Sequence, residues 1–517
     1  MKKCAILGLL VTELLAATSA VRADVRLPAV VGSNMVLQRD MPLPIWGWAD
    51  PGEKVTVTLG DVTQSATAGD NGRWEVKFPA MKAGGDPLSM NIKGKNSINL
   101  TNILIGEVWL GSGQSNMEWS VERSAKAKEE IAAAKHPKIR LFLVPLVPSG
   151  VPAETVNASW QECSPDTISR FSAVLYFFGR EIQQDLDVPV GLIATSWGGT
   201  AIQPWIPPAG YEAHEEVKAE GENAAKAANA YPEIVKSMLP QYRTWLDQTE
   251  KQLAAGKHPK PPPNFPNHPL NSNGAPTGLY NGMIHPLVPF AIRGALWYQG
   301  ESNRGQGMKY HTYMKALISG WRKVWGEGDF PFLFVQLAPY RYDQNSTALP
   351  EIWEAQTATL AVPNTGMAVT TDITTVNDIH PPNKQDVGKR LALWALANTY
   401  GKKDIVYSGP LFDSMQVEGD KIRIKFKHVD GGLVARDGKP LNWFAIAGED
   451  KKFHQAQATI DGESVVVHSA DVKQPVAVRF GWDQIAEPNL MNKAGLPASP
   501  FRTDKWTDAV SAAAPAK

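Results

Sequence analysis

Cysteine is the scarcest resource of this 517-residue chain: Cys4 and Cys163 are the only two. So few thiols exclude a disulfide framework and a cysteine-based metal site, and they leave Cys163 as a small buried hydrophobe. An excess of charge of either sign is missing as well, with 52 basic residues against 52 acidic ones. With no single-sign block, nothing supports a nucleic-acid or anionic-membrane partner. The opening residues, MKKCAILGLLVTELLAATSAVRA, place Lys2 and Lys3 before an apolar stretch and end on the small-residue site Val21-x-Ala23. Those marks identify residues 1–23 as a signal peptide, with Glu13 out of character in it, and predict a secreted or periplasmic protein. Beyond them no apolar run is long enough to span a bilayer.

The rest of the chain is too long for a single core. From Asp24 to Leu100, short alternating segments such as Lys54–Leu59 and Trp74–Phe78 are divided by Asp50-Pro51-Gly52, Gly69-Asp70-Asn71-Gly72 and Gly84-Gly85-Asp86-Pro87. Regular short strands with turn signals predict a β-sandwich module over residues 24–100. Between residues 101 and 403, apolar runs (Lys138–Val144, Val188–Thr195, Ala291–Gln299, Phe332–Ala338, Gly366–Asp372) alternate with helical patterns (Ala173–Leu186, Met308–Val324, Lys384–Thr399). This alternation predicts an α/β domain with a doubly wound, mostly parallel, flavodoxin-like sheet. Residues 203–277 interrupt it with a helical stretch, Glu212–Leu253, and then His258-Pro259-Lys260-Pro261-Pro262-Pro263, which proline bars from a helix. They read as an insertion forming a wall or lid. From 404 to 510 alternation returns, cleanest at Lys421–Lys427, and predicts a second β module. Residues 511–517, rich in Ala and Pro, read as a disordered tail.

Chemistry gathers where the apolar runs end. Ile103, Leu104, Ile105, Val108, Trp109 and Leu110 lead into Gly111-Ser112-Gly113, and Ser115 follows. In an open α/β sheet ligands bind beyond the carboxyl ends of the strands, so a hydroxyl presented there suits a nucleophile. Gly113-Gln114-Ser115-Asn116-Met117 lacks the second glycine of the G-x-S-x-G elbow, which disfavours an ordinary α/β-hydrolase. A base is needed beside the serine, and His380 of Asn377-Asp378-Ile379-His380-Pro381-Pro382-Asn383-Lys384 is the best placed. Asp378 is its candidate orienting acid and Asp372 the rival. His285, with no acid nearby, reads as structural. Ser196, in Ala194-Thr195-Ser196-Trp197-Gly198-Gly199, is the rival nucleophile; Gly198 and Gly199 read as oxyanion donors. Trp297-Tyr298-Gln299-Gly300-Glu301-Ser302-Asn303 closes another strand with amides suited to the same task.

In chain order these strand ends resemble the Ser, Gly, Asn and His blocks of the SGNH hydrolases. The wording is closer still to the sialate O-acetylesterase family, at GQSNM, SWGGT, WYQGESN and the HP-x-x-K of HPPNK. SNMVLQR, IWGWADPGE, GLYNGMIHPL and NLMNKAGLPASPFRTDKW extend the resemblance over nearly the whole chain after residue 23. It implies Ser115 as nucleophile, His380 as base and Gly198 as the glycine whose N–H joins that of Ser115 at the oxyanion. The G-x-N-D block is absent as such, and Gln299, ahead of Asn303, takes the place of its asparagine. The acid usually three residues before the histidine is Asn377 here, which leaves Asp378 as the substitute.

The resemblance thus implies a secreted carbohydrate O-acetylesterase that needs no metal or cofactor, with acetylated sialic acid as substrate and acetylated xylan or mannan as alternatives. Trp197, Glu301 and Asn303 are then candidate substrate contacts, and Trp197 with Trp297 is expected to crowd out long acyl chains. The competing readings are a glycan-binding protein on an inactive scaffold and a lipase or protease. The intact Ser115 and His380 weigh against the first, and the missing elbow glycine against a lipase.

Overall fold

The computed structural model describes residues 24–506, so the expected signal peptide and tail lie outside the described residues. The main path of the central sheet contains β1 (Ser97–Gly113), β2 (His136–Leu143), β3 (Trp160–Cys163), β4 (Val190–Ser196), β5 (Gly294–Tyr298), β6 (Phe332–Val335) and β7 (Thr365–Ala368). Their spatial order is β7-β6-β5-β1-β4-β2-β3. Neighbours run parallel except β2 and β3, so the sheet is mixed. Every residue of β4, β5 and β6 is buried. That is why these strands read as apolar runs rather than alternation, the mark of a sheet covered on both faces.

Six helices bear on the site: α1 (Ser115–Glu118), α2 (Ala173–Leu186), α3 (Glu215–Ala254), α4 (Lys309–Trp325), α5 (Ala348–Thr359) and α6 (Lys384–Asn398). On one face Trp109 of β1 meets Phe178 of α2 edge-on at 4.9 Å, and α6 packs against α2. The opposite face carries Trp297 of β5, whose ring lies 6.2 Å from those of both Trp205 and Trp321, the latter on α4. Trp297 is therefore core, not the site wall expected of it.

β1 also ties the front of the chain to the sheet. Its first half pairs antiparallel with Leu88–Lys93, and Val36–Gln38 runs parallel beside its middle. The expected boundary at residue 100 thus falls inside one continuous strand, and the N-terminal strands share their apolar core with the sheet. The C-terminal strands have a core of their own, built on Ile422, Ile424, Val465, Val467, Val478 and Phe480. Lys421–Lys427 points Ile422, Ile424 and Phe426 inward, as its alternation predicts. Cys163 is buried, which pushes its thiol up to about 12 and leaves it unreactive.

The insertion is dominated by α3, with Pro232 and Pro240 inside it. The proline-rich return arm lies along this helix, its carbonyls at Lys260, Pro263 and Pro266 accepting from Trp245, Tyr242 and Tyr231. Among the described residues, no hydrogen bond joins residues 203–277 to Ser115 or His380. Glu220 instead anchors α3 to Lys309 and Tyr313 of α4.

One buried carboxylate pins three segments. Glu107, 0% exposed in the middle of β1, accepts from Gln38 (3.0 Å), Arg39 (2.5 Å) and Arg293 (2.8 Å). Removing one member of a buried ion pair strands the remaining charges, so Glu107→Ala should cost about 3–5 kcal/mol of stability in a denaturant melt. A loss below about 1 kcal/mol, typical of a surface pair, would show that this cluster does not hold the modules together.

Candidate active site

The site begins with a close backbone approach. Gly113 closes β1 at φ +140°, and a Cβ there would sit 2.1 Å from the carbonyl oxygen of Tyr298. Only glycine fits. The Tyr298 carbonyl accepts from the Gln114 N–H, and the Gly113 carbonyl accepts from the Trp197 N–H, both at 3.0 Å. The ends of β1, β4 and β5 are thereby sewn together. The chain then turns into α1, with Ser115 as its first residue, where a helix leaves N–H groups unpaired. Ser172, the N-cap of α2, braces α1 from below by donating to the Met117 carbonyl at 2.6 Å.

His380 arrives from the loop before α6, and its Nε2 lies 2.8 Å from Ser115 Oγ. Its ring stacks on Trp119, with centroids 4.6 Å apart and planes 17° from parallel. Trp119 is fixed in turn by donating its indole N–H to the Arg123 carbonyl at 2.8 Å. Asp378 lies 4.0 Å from Nδ1, and its carboxylate also accepts the His380 backbone N–H at 2.9 Å. Asp372 is elsewhere, gripped by both terminal nitrogens of Arg390 at 2.6 and 2.7 Å. Ser196 pairs with Gly113 in register, one strand over, but the histidine bonds Ser115. His285 faces the Ala153 carbonyl at 2.9 Å, as befits a structural residue.

Gly198 packs directly on the serine, since a Cβ there would lie 3.3 Å from Ser115 Cβ. Its N–H donates to Glu118 Oε2 at 2.5 Å. Glu118, three residues after Ser115 on the same helix, was not singled out by sequence reasoning. Its carboxylate shows that this N–H can donate to an anionic oxygen beside the serine.

The amide cluster at the end of β5 departs from expectation. Gln299 is fully buried, and its side-chain nitrogen donates to Gln114 Oε1 (3.1 Å), the Thr200 carbonyl (3.1 Å) and Asn303 Oδ1 (2.7 Å), while its oxygen accepts from Tyr310. An amide nitrogen carries two hydrogens, so none is left for an oxyanion. Asn303 is likewise consumed, accepting from the Ile202 N–H and donating to Gln203 and Gln306. Glu301 has its carboxyl enclosed, with Oε1 accepting from Asn116 at 2.6 Å and Oε2 buried without a partner. All three form the floor of the site rather than a substrate surface. Trp197, the remaining expected contact, is half-buried beside the serine, at the end of β4. Among the described residues no group of three or more His, Cys, Asp or Glu side chains could hold a metal ion.

Residues 272–397, which carry His380, match the family model described as carbohydrate esterase, sialic acid-specific acetylesterase. The sialate O-acetylesterase of Rattus norvegicus is 32% identical over 425 residues, covering 75% of this chain and 76% of its own. The chain belongs to the sialate O-acetylesterase family. The Homo sapiens member is 29% identical over 543 residues, 96% of either chain. A crystal structure of a carbohydrate acetylesterase from Xanthomonas citri superposes with a TM-score of 0.79 at 35% identity, covering 93% of this chain and 100% of that one. Like its relatives, this family member is an esterase.

The imidazole of His380 is tuned by its surroundings. Burial is the largest influence and lowers the His380 pKa; Lys384 and Arg123 lower it further, and Asp378 raises it. A general base works unprotonated, so kcat/KM should fall on the acid side with an apparent pKa below that of an ordinary histidine. A pH–rate profile with its acid limb above the ordinary value would contradict this environment.

Proposed function

We propose that the chain is an exported carbohydrate O-acetylesterase that removes acetyl groups from O-acetylated sialic acid through a Ser115 acyl-enzyme. The observation that carries the reading is the 2.8 Å bond between Ser115 Oγ and His380 Nε2, two residues 265 positions apart. His380 Nε2 takes the hydroxyl proton as Ser115 Oγ attacks the acetyl carbonyl carbon. The carbonyl oxygen, now anionic, is received by the N–H groups of Ser115 and Gly198 as Glu118 gives up the latter. Collapse breaks the ester bond to the sugar, and the imidazolium returns its proton to the departing hydroxyl. Water, activated by the same histidine, then releases acetate.

Asp378 at 4.0 Å acts on the imidazole mainly as a charge. Export rests on the signal read in residues 1–23. The sugar rests on the relatives being sialate O-acetylesterases, two of them 32% identical to this chain. A short acyl group suits Ser115, which has the stacked Trp119–His380 pair and Gly198 with Glu118 as neighbours.

Ser115→Ala should lower kcat by about 10⁴–10⁶-fold, His380→Ala nearly as much, and the double variant little further, because the two act as one unit. Wild-type-like acetate release by the serine variant would remove the assignment. Efficiency on p-nitrophenyl esters should fall from acetate to butyrate to octanoate, each unaccommodated methylene forgoing about 1–3 kcal/mol. Acetate release from acetylated sialic acid should exceed that from acetylated xylan; the reverse order transfers the proposal to hemicellulose.

A further inference from the structure

The steps just described leave one costly feature unused. Lys384, the first residue of α6, is 0% exposed. A buried ammonium is strongly unfavourable unless it is well partnered. Its Nζ donates to Asn116 Oδ1 at 2.5 Å and lies 5.4 Å above the Tyr298 ring and 5.9 Å above that of Trp119. The amide nitrogen of Asn116 then donates to Glu301 Oε1 at 2.6 Å and to the Ile379 carbonyl at 3.0 Å. Asn116 follows the nucleophile in the chain, and Ile379 precedes the base. One side-chain amide therefore links α1, the end of β5, the start of α6 and the histidine loop. Lysine donates only, so its bond to Oδ1 forces the Asn116 nitrogen toward Glu301 and Ile379.

We propose that Lys384 is a positioning residue for His380: through Asn116 it clamps the histidine loop to the nucleophile helix, and its positive charge opposes a second positive charge on the ring. The inference rests on the Ser115–His380 reading above. The charged groups acting on His380 are Lys384 from α6, Arg123 from the segment after α1 and Asp378 from its own loop, with Trp119 stacked on the ring. Lys384 itself is acted on by Glu301 and Asp378, and burial pushes its ammonium down to about 7. It is thus charged on the acid side of neutrality, where the histidine titrates.

The test is a set of pH profiles of kcat and kcat/KM on p-nitrophenyl acetate, from about pH 4.5 to 8, with thermal melts as a check on folding. Lys384→Met should lower kcat about tenfold or more with KM little changed, as expected for a misplaced catalytic group. Its acid limb should move to higher pH by about half a unit or more, because a neighbouring positive charge has gone. Lys384→Arg should keep the limb at its wild-type position; equal displacement in both variants overturns the role of the charge. Asn116→Ala, which removes the clamp while leaving Lys384 in place, should also lose kcat, and, where its melt shows a folded protein, it decides the matter if Lys384→Met does not fold. Wild-type kcat in Asn116→Ala, or a slower Lys384→Met with an unmoved acid limb, overturns the proposal. Ser115→Ala is assayed alongside. Turnover by that variant defeats the nucleophile assignment, whereas an inactive Ser115→Ala beside fully active Lys384→Met and Asn116→Ala defeats only the role of Lys384.

Discussion

Everything at the site depends on the contact between Gly113 and the backbone of Tyr298. Two parallel strands approach there more closely than any side chain permits, and the turn that follows delivers Ser115 at a helix start. The neighbouring bond from the Trp197 N–H to the Gly113 carbonyl brings Gly198 against the serine from the other side. Ser115 and the Gly198 amide are thus held by the ends of the sheet strands.

Below the serine lies a layer of buried polar side chains that bond one another, with Glu301 Oε2 left over. Gln114, Gln299 and Asn303 bond one another or the strand ends, with Tyr310 closing the group from α4. Asn116, Glu301 and Lys384 form a second group nearer the histidine. An unsatisfied polar group in such an interior is expensive, so a densely paired floor selects one arrangement of the strand ends above it. The enclosed carboxyl of Glu301 pays part of that cost, its Oε2 being unpartnered.

The C-terminal module braces the loops from behind. Gln484 accepts from the Tyr340 N–H through its backbone and from the Tyr342 N–H through its side chain, while Arg436 donates to the Asp372 carbonyl. Ser499 meets Gln336 at the end of β6, and Arg502 grips Glu354 on α5 with two bonds. These contacts fall on the segments after β6 and β7, and the second of them leads to His380. A module with its own apolar core can therefore stiffen the base's loop without touching the serine.

The linear order of residues determined the class of architecture and the strand ends at which Ser115 and His380 stand. Apolar runs ending in glycines mark strands covered on both faces, and a serine or histidine beyond such an end has one place to go. The strand ending at Gly113 with Ser115 after it, the loop position of His380 and the alternation of Lys421–Lys427 were all readable on those grounds. Which polar residue faces substrate and which faces inward was not. Gln299, Glu301 and Asn303 sit at a strand end as ligand-facing polar groups would, yet their partners (Gln114, Asn116, Thr200 and Gln203) come from elsewhere in the chain. Asp372 stood as the rival of Asp378, and Arg390, 18 residues on, claims it in the folded chain. The same limit hid Glu118 and Lys384, whose significance lies in a glycine amide and an asparagine brought close only by folding. A hydrogen-bonding side chain is defined by whichever partner reaches it first, and for residues far apart in sequence only the tertiary structure decides that.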